Sequence, residues 1–179
     1  SEISTWADIR PEWPEEEIVL VGRGAGSGTF DYFSEAVTGE AGSLREDYRT
    51  TDDIEELTRW IAADRNALGF MGVGNYLASD EGHRNVMATV SVDGVQPTLA
   101  GVQDGTYRAL TRPLFLYVSV AALEEREDVR EFIGTYLDKV HDELPLVYYY
   151  RLPDEAYAAA RERLDNRVTG PAEGIEGLF

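Results

Sequence analysis

Val21-Gly22-Arg23-Gly24-Ala25-Gly26-Ser27-Gly28-Thr29-Phe30-Asp31-Tyr32-Phe33 holds a strand end, a glycine-rich loop and a helix start. The apolar run 18–21 reads as a buried strand. Beyond Gly28, the spacing of Phe30, Phe33 and Val37 predicts a helix. Such a junction makes an anion site. Glycines let several backbone N–H groups converge, and the first four N–H groups of a helix lack partners within it. The helix dipole adds about half a positive charge there. Arg23 adds a full charge on a planar donor fork suited to a tetrahedral oxyanion. A plain surface turn carrying Arg23 is the alternative reading of the same residues.

Other glycine loops fail on spacing. A P-loop needs G-x-x-x-x-G-K-[ST], and no lysine is near. A dinucleotide fingerprint starting at Gly22 or Gly24 would place its last glycine on Ser27 or Thr29. A nucleophile elbow around Ser27 needs glycine at positions 25 and 29, which are alanine and threonine.

The segment Arg23-x-x-x-Ser27-Gly28-Thr29, set between strand and helix, resembles the second-lobe phosphate loop of the periplasmic phosphate-binding proteins, the solute receptors of ABC phosphate importers. Three further landmarks extend the resemblance along most of the chain. They are Thr5-Trp6-Ala7-Asp8-Ile9-Arg10-Pro11 with Ile18, Ala67-Leu68-Gly69-Phe70-Met71-Gly72, and Tyr107-Arg108-Ala109-Leu110-Thr111-Arg112-Pro113-Leu114-Phe115.

The resemblance implies roles for individual residues. Arg23 would pair with two phosphate oxygens. Ser27 would offer its hydroxyl and N–H, Gly28 an N–H, and Thr29 an N–H and a hydroxyl. Gly26 would support the loop. Many family members carry an aspartate two residues after the arginine, bracing the guanidinium. Here that position is Ala25, so either Arg23 is less rigid or another acid such as Asp31 braces it.

The resemblance also implies an α/β fold of the type II binding-protein kind, with two lobes around a cleft. Residues 1–14 would form the incoming inter-lobe segment, 15–111 the second lobe with the anion loop, and 112–179 the strand and helices returning to a truncated first lobe. The opening half of that first lobe would be absent, together with its donors and the carboxylate that accepts the phosphate's proton. Phosphate binding should then be weak, about millimolar or worse. Apolar segments 114–120 and 129–140 should lack cover and seek a partner, either a second copy or a separate chain.

Composition narrows the function classes. Thirty-four acidic residues against 16 basic ones give a formal charge of −18, and Lys139 is the sole lysine. Nucleic-acid binding is disfavoured, because no basic footprint exists. The acids are spread along the chain, and 43% hydrophobic residues argue against disorder. Scattered acids with almost no lysine read as adaptation to high salt, where self-repulsion is screened. Screening mutes distant carboxylates while Arg23 and the loop N–H groups would touch the anion directly. The absence of cysteine excludes disulfides. No segment reaches the roughly 18 apolar residues of a membrane span. Ser1-Glu2-Ile3 reads as a cut edge.

Elsewhere, strands alternate with helices, which predicts an α/β fold. Segment 43–52 reads as a polar turn, with Thr51-Asp52 capping a helix through Ile54, Leu57 and Ile61 that closes at 64–66. Segment 68–73 reads as a short strand broken by Gly69 and Gly72, where backbones approach closely, at the cleft or at a tight crossing. Val86, Ala88, Val90 and Val92 alternate as a strand before an Asp93-Gly94 turn. The run 114–120 reads as a strand buried on both faces. Val129, Phe132, Ile133, Tyr136, Leu137 and Val140 make an amphipathic helix, and Pro153 opens another that stops near 169–171.

His83 and His141 lack ligand-like spacing, so no metal or other cofactor is expected. Tyr148-Tyr149-Tyr150 reads as core or interface packing, with a stacking patch the alternative, and Arg112, ahead of the 114–120 run, as a salt-bridging residue or one beside the cleft. No catalytic set can be assembled. The expected function is extracytoplasmic phosphate reception alongside an ABC permease. A receptor for another oxyanion such as sulfate, or a phosphate-sensing module, is the alternative, with a phosphoester enzyme third.

Overall fold

The computed structural model describes residues 3–170. Ser1 and Glu2 of the expected cut edge, and Pro171 of the expected helix stop, lie outside them. The chain forms two compact units that divide between Thr89 and Val90. Residues 90–111 group with the C-terminal unit.

The N-terminal unit opens with a single helical turn, α1 (Trp6–Ile9). Thr5 caps it, and the Asp8 carboxylate accepts back from the Thr5 N–H at 2.7 Å, a capping box. Strand β1 (Val19–Gly22) then runs into the glycine loop, and α2 (Gly28–Thr38) follows. After α2 come β2 (Arg49–Thr50), α3 (Ile54–Ala63), β3 (Ala67–Gly69), α4 (Val73–Ala78) and α5 (Glu81–Arg84). The three strands form a parallel sheet in the order β2-β1-β3. Parallel neighbours require helical crossovers, and α2 and α3 supply them. The mixed α/β architecture expected from the sequence is therefore present.

The core of this unit gathers Val21 of β1, Phe30 and Ser34 of α2, and Leu57 and Thr58 of α3. Buried Ser34 is satisfied: its hydroxyl donates to Asp31 O at 2.9 Å and accepts from the Gly42 N–H at 2.7 Å. Of the residues whose spacing predicts α2, Phe30 is buried and Val37 exposed. Glycine at position 69 marks a tight crossing. A Cβ there would lie 2.7 Å from Ile61 Cδ1 and 2.9 Å from Val21 Cγ2.

In the C-terminal unit the short helices α6 (Leu99–Gln103) and α7 (Val120–Glu125) precede a long α8 (Glu127–Glu143). A 3-10 turn (Leu144–Val147) and α9 (Asp154–Asp165) complete it. Tyr107, Leu123, Ile133 and Ala156 are buried. The Arg161 guanidinium on α9 donates to Gly134 O on α8 at 3.1 Å and pairs with Asp138.

Two expected strands are corrected. Segment 86–92 forms no ladder: Val86 and Val90 are exposed, and only Val92 bridges, to Val95 across the expected Asp93-Gly94 turn. Both turn residues have positive φ, 51° and 79°, the geometry that suits a two-residue hairpin. The run 114–120 is likewise not a buried strand. Leu114 is 74% and Tyr117 79% exposed, and Val120 already begins α7 behind its N-cap Ser119. A strand needs a hydrogen-bonded neighbour, and the described residues of this unit contain none. The α8 stripe is real but half-covered, with Ile133 buried and Phe132 exposed. Beside it lies an open groove of about 390 Å³ among Leu114, Phe132, Tyr136, Val140 and Tyr149. Tyr148 and Tyr149, expected in packing, are exposed. Helix α9 ends at Asp165, short of the expected stop.

Candidate functional site

β1 is the middle strand, so the loop leaving its end is flanked by segments following β2 and β3. The Phe70 ring packs over Gly22, the last residue of β1; a Cβ there would come within 2.9 Å of Phe70 Cδ1. Phe70 stacks on Phe33 of α2 with ring centroids 4.1 Å apart, and the Tyr48 ring is tilted against Phe70 at 6.3 Å. This aromatic cluster seats the loop between β1 and α2. Burial pushes the Tyr48 phenol above its ordinary pKa, and its hydroxyl donates to Arg23 O at 3.1 Å.

Within the loop, the Ser27 N–H donates to Gly24 O at 3.0 Å, closing a turn. Ser27 is the N-cap of α2, and its buried side-chain oxygen accepts from the Thr29 N–H at 3.2 Å. Two donors expected for an anion, the N–H groups of Ser27 and Thr29, are thus engaged inside the loop. The Ser27 hydroxyl proton remains to be donated. Gly28 is exposed, Thr29 half-buried, and a Cβ on Gly26 would meet nothing within 4 Å. The loop mouth is open at Gly26.

Arg23 is held from the segment after β2. Its Nη1 donates to Asp52 O at 3.0 Å, and Nη2 lies 3.5 Å from Asp52 Oδ1. The side chain is 17% exposed, while that of Asp52 is 70% exposed. Arg23 Nε is buried without a hydrogen-bond partner. The acid beside the guanidinium is therefore Asp52 and not Asp31, which sits exposed in the first turn of α2. Arg23, Gly26, Ser27, Gly28 and Thr29 lie along the loop and helix start that follow β1, with the Arg23 guanidinium turned to Asp52.

Sequence reasoning missed Tyr48 and Asp52. They lie in the 43–52 stretch that reads as a polar turn, and the two-residue β2 is too short to show alternation. Thr51 contributes too: its N–H donates to Gly22 O at 3.2 Å and its hydroxyl to Glu56 Oε2 at 2.7 Å. Among the other candidates, His141 Nε2 lies 3.3 Å from Asp142 Oδ1, and Arg112 is exposed.

A parallel sheet whose central strand empties into a glycine loop at a capped helix is the α/β arrangement in which ligands commonly meet a helix N-terminus. Residues 1–137 match the PBP superfamily domain, and the chain belongs to that superfamily. It is 33% identical to protein SphX of Synechocystis sp. over 99% of this chain and 53% of that protein. It is 25% identical to the phosphate-binding protein PstS of Staphylococcus saprophyticus, over 92% of this chain and 50% of that one. The chain thus spans about half the length of these curated relatives. Among solved structures, a possible phosphate-binding protein from Planctomyces limnophilus superposes with a TM-score of 0.70 and 32% identity. That match covers 94% of this chain and 60% of the other. The fold also matches a putative phosphate ABC transporter substrate-binding protein from Clostridium perfringens, solved with bound phosphate, at a TM-score of 0.65 and 24% identity. There 85% of this chain and 58% of the other are covered.

Proposed function

We propose that this chain carries the second-lobe half of a phosphate clamp and binds inorganic phosphate for an ABC import system outside the cytoplasm. The observation that supports it most is the open glycine loop that carries Arg23 from the end of β1 to Ser27, the N-cap of α2. The likeness of nearly the whole chain to phosphate-binding proteins supports the choice of ion. Arg23 supplies charge and planar donors, Ser27 a hydroxyl, and Gly28 and Thr29 the positive end of the helix, with Gly26 leaving room for approach. The role is binding, not catalysis, and its partner in the membrane is an importer permease.

Residues 15–111 act as the second lobe in this reading, with 1–14 leading in and 112–179 returning to the first. The residues of this chain supply one side of a clamp in this reading, and on their own they hold phosphate at about millimolar affinity or worse. The exposed run 114–117 and Phe132 are surfaces that a second copy or a complementary chain covers.

Phosphate titration followed by amide NMR in high salt tests the site. Shifts should concentrate at residues 23–29 with about millimolar affinity, and Arg23→Gln should remove them. Shifts elsewhere, or an R23Q variant that binds as well as the native chain, would refute the assignment. Micromolar binding would refute the half-clamp.

A further inference from the structure

Arg23 is the one full positive charge within the loop 23–27, and its setting is specific. Three contacts hold it from a single short stretch of chain. The Tyr48 hydroxyl donates to its main-chain oxygen at 3.1 Å, Asp52 O accepts from Nη1 at 3.0 Å, and Asp52 Oδ1 lies 3.5 Å from Nη2. Asp52 therefore occupies the far edge of the guanidinium, where Nη1 and Nη2 both point. Nε is left sealed from solvent and without a partner. An arginine has enough rotamer freedom to leave such a place, and an orphaned buried N–H favours leaving it. The contacts from Asp52 oppose that tendency.

We infer that Asp52 is a positioning residue for the anion loop, fixing the Arg23 guanidinium before any ligand arrives. The inference rests on the proposed anion site, but the fixing itself is a property of the free chain. The Asp52 carboxylate lies 4.0 Å from where a Cβ on Gly24 would stand, so it reaches across the loop. The local structure keeps it there. Thr51 is tied to Gly22 by its N–H and to Glu56 by its hydroxyl, and Asp53 is the N-cap of α3. Asp52 is thus pinned on both sides along the chain while its side chain stays in water. Pre-orienting a donor removes an ordering cost from binding. The gain is bounded by the exposure of the pair, which solvent screens, to about fivefold in affinity.

Two variants and two readouts test this. Asp52→Asn keeps the shape and the main-chain acceptor but removes the charge, and Asp52→Glu restores the charge at a longer reach. In the free protein, the Arg23 Nε–H resonance should exchange slowly with water in the native chain. It should broaden or exchange rapidly in D52N and recover in D52E, at unchanged thermal midpoint. With inorganic phosphate, D52N should bind about fivefold more weakly, and D52E within about twofold of native. An Nε–H signal as protected in D52N as in the native chain would overturn the inference whatever phosphate does. Native-like phosphate affinity in D52N would overturn it as well. If the free-protein signature holds while no variant binds phosphate, the positioning stands and the phosphate reading falls.

Discussion

Ser27 shows how one side chain can serve fold and site together. Its oxygen caps α2 by accepting from the Thr29 N–H, yet the same hydroxyl keeps a proton to donate. The loop is in this sense closed on itself before an anion arrives, and a ligand must compete with the turn for the Ser27 and Thr29 N–H groups. The loop after β1 and the start of α2 were legible in the sequence because glycine spacing and helix onset are local signals. Asp52 was not, because its contact with Arg23 spans 29 positions and depends on parallel pairing of β1 with β2. A second titratable contact at this scale is Asp8. Donation from the Ser4 and Thr5 N–H groups holds its carboxyl at about 2, below the ordinary 3.8. A depressed carboxyl favours the fold while it is ionised. The cap at α1 is therefore complete above about pH 4 and is lost as pH falls through 2. Side-chain carboxyl NMR should give an Asp8 midpoint near 2; a midpoint near 3.8 would refute the capping box.

At the scale of elements, α3 is the best-defined helix of the N-terminal unit. Asp53 accepts from the Glu55 and Glu56 N–H groups at 2.9 and 3.1 Å, one residue later than the Thr51-Asp52 cap expected from sequence. Asp53→Ala should cost about 1 kcal/mol, read as a lower urea midpoint at constant slope. A midpoint unchanged from native would mean that the cap is redundant. Helices are legible because their period survives in isolation: α2, α3, α8 and α9 all appear where apolar spacing places them. Strands are legible only in part. Segment 19–22 has neighbours on both sides and forms β1, whereas 86–92 and 114–120 have the composition of strands without a ladder to join. Alternation records which face a segment could bury, not whether a partner is at hand. The short β2 is hidden for the opposite reason, since two residues carry no period at all.

For the molecule as a whole, net charge weighs on stability in a way that no single contact explains. A formal −18 over 179 residues makes the folded state repel itself, and salt relieves this as the screening length falls from about 10 Å at 0.1 M to about 3 Å at 1 M. The thermal midpoint by circular dichroism should therefore rise steadily with sodium chloride to molar levels. A flat or falling midpoint would count against adaptation to salt. The family and fold were legible at this scale because four local motifs keep their order along the chain, while the grouping of residues 90–111 with the C-terminal unit left no such mark. The exposed run at 114–117 gives the same charge a second meaning. Leu114-Phe115-Leu116-Tyr117-Val118-Ser119 holds no charge, proline or glycine, which is the composition of segments that stack between chains into cross-β fibrils. Mutual repulsion keeps such segments apart in dilute buffer. Salt that firms the fold also lowers that barrier, so light scattering after melting should grow with salt even as melting is postponed. Colloidal stability and folding stability pull in opposite directions in this protein.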